Sequence, residues 1–183
     1  MSEQDNKISP VIAQGDSMAL AIPAFRNLPA LSLDLSKTRE SESRFIEAKT
    51  VNPITYADLE HTFNESYREL KRHHTTLGYR KVQVQRQIDL IKAEIVINKY
   101  PEFMKDRPKS QDNADLRNAF LMKDPEYIEA LELFDRLNAT ESFVENRIKV
   151  IENVTRYMRK QMDMIIRSGL TDRNLYVTSG GKY

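Results

Sequence analysis

The chain has no cysteine, only three histidines and only five glycines among its 183 residues. Without cysteine there can be no disulfide, no thiolate metal site and no thiol nucleophile. Of the histidines His61, His73 and His74, His73 lies four residues after a carboxylate, Glu69, and the pair could bind a metal. Two ligands without a third do not make a metal site, so neither a metal nor another cofactor is expected. Long apolar runs are missing too. The stretch from Met18 to Leu35 is interrupted by Pro23, Arg26, Pro29 and Asp34, and nothing approaches the roughly 18 apolar residues of a membrane span. Met1–Lys7 is polar and lacks the basic start of a secretory signal. The expectation is a protein of the cytoplasm, with no membrane partner.

What is present is heptad order. Phe63, Leu70, Leu77, Val84 and Ile91 recur at every seventh position, and Leu137, Val144, Ile151, Met158 and Ile165 do the same. A stripe sustained over about forty residues twice, with a proline-rich break between, predicts an all-α fold. Its form would be a long antiparallel helical hairpin or coiled coil with a short connector helix and an extended N-terminal segment. Two such helices would span about 60 Å at about 1.5 Å per residue. Charged residues make up 30% of the chain, as a helical surface of this kind requires.

Three regions follow. Residues 1–54 read as extended or disordered, with Pro10, Pro23, Pro29 and Pro53 among many polar residues. Inside them Ile22, Phe25, Leu28, Leu31, Leu33 and Leu35 form an apolar cluster, either a strap on the helices or a motif that docks on a partner. Residues 55–170 are the hairpin, opened by a capping box at Thr55-Tyr56-Ala57-Asp58 and broken or kinked at Pro101. Asp112 would cap the connector helix, Asp124-Pro125-Glu126 would start the second long helix, and Gly169 would end it. Residues 171–183 are a flexible tail.

Net charge is +1, but it is unevenly distributed. Ser66–Lys92 holds seven Lys/Arg against two Asp/Glu, Asp112–Asn146 holds three against nine, and Arg147–Tyr183 holds eight against three. In an antiparallel hairpin the two basic blocks would meet. Arg68, Lys71, Arg72, Tyr79, Arg80 and Arg86 make a basic face in which Tyr79 stands seven residues from both Arg72 and Arg86. Lys149, Arg156, Lys160 and Arg167 make a second stripe. Only Glu152 and Asp163 lie among the six cations from Arg147 to Arg167. Cations with an interleaved ring suit single-stranded nucleic acid, whose phosphates need charge and whose bases need a stacking surface. A solvated helix face with i,i+4 ion pairs is the competing explanation. A further track of Phe143, Val150, Tyr157 and Met164 exceeds what a two-helix seam uses, and points to an interface between subunits. The acidic face of Glu129, Glu132 and Asp135 lacks any sign of a pocket, so an enzyme is not expected.

The basic helix ending at Ile97-Asn98-Lys99-Tyr100, the polar connector, Asp115-Leu116-Arg117-Asn118-Ala119-Phe120-Leu121 and Asp124-Pro125-Glu126-Tyr127 before a long amphipathic helix together resemble the UvsY-type recombination mediators of phages. The resemblance covers about residues 55–170 and leaves the N-terminal extension outside it. It implies a homo-oligomer in an infected bacterial host that binds single-stranded DNA. Its partners would be a recombinase and the single-strand-binding protein that the recombinase replaces. The alternative expectation is a phage-encoded protein-interaction factor: an assembly chaperone, scaffold or inhibitor of a host enzyme.

Overall fold

A computed structural model describes residues 19–108, 110 and 112–179, with side chains as far as residue 169. The order is β1 (Ala19–Ile22), β2 (Leu31–Asp34), α1 (Ser36–Glu47), α2 (Pro53–Glu94), a π-turn (Ile95–Lys99), α3 (Tyr100–Met104), α4 (Ala114–Leu121) and α5 (Pro125–Ser179). Apart from the two-stranded sheet of β1 and β2, the regular structure described is helical. None of these helices is long and apolar enough to cross a membrane.

The segment expected to be extended is the main departure. From Ala19 it carries two strands and the twelve-residue helix α1. Phe25 and Leu28 exchange backbone hydrogen bonds of 2.9 and 2.8 Å around a two-residue turn. That turn places Arg26 at φ 48°, a left-handed conformation that strains a residue with a Cβ. The Arg26 guanidinium offsets the strain by pairing with both Glu94 and Glu126, which fastens the turn to α2 and α5. Ile22, Phe25, Leu28, Leu33 and Leu35 are buried, so the apolar cluster is a strap. The first eighteen residues lie outside the described structure.

Helix boundaries follow local chemistry, with several differences from expectation. The capping box of α2 lies three residues earlier than expected. Asn52 Oδ1 accepts from the N–H groups of Ile54 and Thr55, and Thr55 Oγ1 accepts from the N–H of Asn52. Pro53, with no N–H to satisfy, takes the first helical position. Asp58 instead accepts from Arg44 Nη1 through both carboxylate oxygens, each at 3.0 Å. Pro101 does not end the helical run. A π-turn precedes it and the run continues to Met104, with Pro101 in the first turn of α3. There the missing N–H costs no helical hydrogen bond. The connector helix α4 is capped by Asn113, whose side chain accepts from Leu116 N–H at 2.8 Å. Asp124 does start α5, accepting from the N–H groups of Glu126 and Tyr127 and pairing with Lys99. Gly169 does not stop α5, which stays helical to Ser179. No glycine described has positive φ, so the left-handed terminator a glycine favours is not used. Residues 180–183 of the expected tail lie outside the described structure.

Asp112 has a different task from the one expected. It receives two bonds from Arg117, of 2.7 and 2.8 Å, and the Tyr100 hydroxyl at 2.8 Å. The Arg117 guanidinium first, and then the Tyr100 hydroxyl, pull its carboxyl from 3.8 down to about 2. The folded value lies below the unfolded one, so its stabilisation is complete above about pH 4 and disappears as pH falls towards 2. We expect the unfolding midpoint of Asp112→Asn to vary less with pH than that of the native chain between pH 4 and 2. Thermal melts across that range measure it.

The chain divides into two compact units. One takes in Asp34–Arg72 and the chain from Val144; the other takes in Ala21–Leu33 and His73–Phe143. In the first, Glu60 pairs with Arg159 and Tyr67 donates to Glu152. Advancing along α2 thus moves backward along α5, and the two pack antiparallel. Their seam buries Leu59, Phe63, Leu70, Val144, Ile148, Ile151 and Met158. Helix α1 packs here through Thr38 and Ser41, and Ser66 on α2 donates to the Thr38 hydroxyl at 3.1 Å. In the second unit, Lys81–Glu141 and Lys99–Asp124 give the same antiparallel sense. Leu77, Val84, Ile88, Ile91, Leu133 and Leu137 are buried there. Gly78 lies in the middle of α2, and a Cβ would meet only Glu141 Oε1, at an ordinary 3.6 Å. Gly78→Ala is therefore expected to raise unfolding free energy by about 0.5–1 kcal/mol, measurable by urea titration.

Candidate nucleic-acid interface

The basic residues divide between the two units. In the first, Arg68, Lys71 and Arg72 project from α2, while Lys149, Arg156, Lys160 and Arg167 project from α5; all seven are exposed. Each set lies opposite the buried seam of its own helix. The two basic blocks lie alongside each other in the antiparallel pair, with their cations on the outer face of each helix.

Neutralisation is also more complete than the sequence implied. Of the six cations from Arg147 to Arg167, Arg147 pairs with Glu42, Lys149 with Glu145 and Arg159 with Glu60. On α2, Arg68 pairs with Glu65 at 3.1 Å, and Lys71 lies 5.3 Å from the centre of the Tyr67 ring. Glu42 comes from α1 and Glu60 from the first turns of α2, partners invisible to a count along α5. Arg156 and Lys160 keep no ion pair among the described residues. They flank Tyr157, whose ring is about half exposed. These three residues form an exposed cationic face of the first unit.

In the second unit Tyr79 and Arg86 are exposed and Arg80 is half-buried. Arg86 makes no ion pair among the described residues. Lys81, its near neighbour on α2, is held by Glu141 at 2.6 Å and lies over the Phe134 ring.

The expected oligomer track is partly used within the chain. Phe45 of α1 meets the edge of Tyr157 at 6.5 Å between ring centres. Val150 and Met164 remain near half-exposed, and Phe143 is half-buried. Beside Tyr157 runs a groove of about 670 Å³ lined by Phe45, Val51, Val154, Asn153 and Gln161 among others. Its lining has no carboxylate and no histidine. Among the described residues no three His, Asp or Glu side chains are grouped to hold a metal. No protein-family model, curated protein or solved structure matches this chain.

Proposed function

We propose that this chain is a non-enzymatic, single-stranded DNA-binding protein that acts as a phage recombination mediator, helping a recombinase displace single-strand-binding protein in the host cytoplasm. The observation that carries the reading is the α5 face of Arg156, Tyr157 and Lys160: two cations without carboxylate partners beside an exposed ring. Single-stranded DNA needs this combination and no base-specific donors, because every phosphate is an anion and every base has a face to stack. Lys149 and Arg167 extend the same α5 face, and Arg68, Lys71 and Arg72 offer further cations on α2.

The reading as a protein-interaction factor keeps one of its two docking features: the Ile22–Leu35 cluster is mostly buried in the fold, while Tyr157 of the Phe143/Tyr157 stripe stays half exposed beside the groove. Fluorescence anisotropy with a labelled single-stranded oligonucleotide, at low and moderate salt, tests the proposal. Binding that weakens steeply with salt is expected. Absence of binding at low salt would end the reading and direct attention to the groove beside Tyr157.

A further inference from the structure

Helix α2 and the π-turn that follows it carry a second apolar stripe within the second unit that no part of that unit covers. Tyr79, Val82, Leu90 and Ile97 are 66%, 51%, 52% and 70% exposed, and Arg86 and Asp89 stand between them, exposed as well. At 3.6 residues per turn these positions share the face opposite Leu77, Val84, Ile88 and Ile91, and they run along about 27 Å of helix. The π-turn contributes. Tyr100 N–H bonds to the Ile95 carbonyl five residues back, and both side chains are buried. The seam therefore passes from Ile95 to Tyr100, and Ile97 is left on the outside.

We infer that this stripe is where a second copy of the chain docks, its α2 antiparallel to the first across a two-fold axis. The charge pattern selects that occupant. Arg86 and Asp89 make no ion pair among the described residues, and Asp89 only accepts a 3.1 Å bond from Gln85. They have opposite signs and lie three residues apart at the middle of the stripe. An axis between them brings Arg86 of each copy to Asp89 of the other. It lays the Tyr79–Val82 end over the Leu90–Ile97 end. A two-fold contact must be self-complementary in this sense. The α5 track of Val150, Tyr157 and Met164 offers no such exchange, since Arg156 and Lys160 beside it make no ion pair among the described residues and a second copy would bring these like charges together.

The contact is one helix wide, which places it among small interfaces and sets the expected dimer dissociation constant on the order of micromolar. Sedimentation equilibrium of the full chain, free of nucleic acid, is the test. The native chain should dimerise, and Leu90→Glu should be monomeric with unchanged helical circular dichroism. Arg86→Asp and Asp89→Arg should each weaken the dimer by about tenfold or more, and combining them should restore it. A native chain that stays monomeric at about a hundred times that concentration would overturn the inference. So would a double reversal as weak as the singles, or association abolished by Met164→Glu and untouched by Leu90→Glu. DNA binding does not enter the measurement, so either proposal can fail without the other.

Discussion

Phe63→Ala is expected to lower the unfolding free energy by about 3–5 kcal/mol, a large part of the stability of an ordinary domain. Phe63 is 2% exposed in the seam between α2 and α5. Its ring meets Phe45 edge-on, 5.9 Å between centres at 86°, and Phe45 in turn meets Tyr157 edge-on. One side chain thus links α1, α2 and α5. Its removal opens a cavity that stiff helices cannot close, and also forfeits the aromatic pair, which contributes about 0.5–1.5 kcal/mol beyond burial. Urea unfolding followed by circular dichroism gives the comparison. A loss below about 1 kcal/mol would mean that α1 is not seated on Phe63 and that the seam repacks freely. Phe45→Ala should then be silent as well, whereas a seated α1 predicts a loss for both.

The elements legible in the sequence are those whose burial is apolar and periodic. Phe63, Leu70, Leu77, Val84 and Ile91 on α2, and Leu137, Val144, Ile151 and Met158 on α5, are buried where the heptads placed them, whereas Ile165, the last of the α5 heptad, is 37% exposed. Helix α1 was not legible because it packs through Thr38 and Ser41, small hydroxyl residues that leave no apolar stripe to find. Its apolar Phe45 and Ile46 are adjacent in sequence, and Ile46 is 75% exposed. Pro101 reads as a stop or a kink because the residue before a proline disfavours α geometry; the run does not stop there but passes through a π-turn into α3. Gly169 reads as a stop by composition, but a glycine terminates a helix only when it takes positive φ.

The candidate site was legible as residue types and not as an arrangement. Heptad position puts Arg68, Lys149 and Arg156 on outer faces, and they are exposed. The ion pairs that thin the α5 stripe are long-range, Glu42 to Arg147 and Glu60 to Arg159, and depend on a helix that was not foreseen and on the register of the antiparallel pair. The strap was similarly half-visible: its apolar residues stand out, but the turn at Arg26 and its hold on Glu94 and Glu126 require the fold.

Changing Arg156 and Lys160 together to glutamine is expected to have the largest effect on function. Each phosphate contact on a single strand contributes about 0.7 to the slope of log affinity against log salt. Losing two should lower that slope by about 1.4, and we expect affinity at low salt to fall by at least about tenfold. Because both side chains are exposed and unpaired among the described residues, no fold contact is lost, and helicity and the unfolding midpoint should stay the same. Arg147→Gln is the control, compared per charge removed. Its guanidinium pairs with Glu42 at 2.8 Å and is only about a third exposed, so it should leave the slope unchanged while lowering stability slightly. The two substitutions separate a phosphate site from general positive charge, since each cation removed counts alike in net charge and only the unpaired ones count in counterion release. Equal slopes for all three proteins would mean that Arg156 and Lys160 do not meet phosphate. The basic side chains of α2, Arg68, Lys71 and Arg72, would then have to supply the contacts.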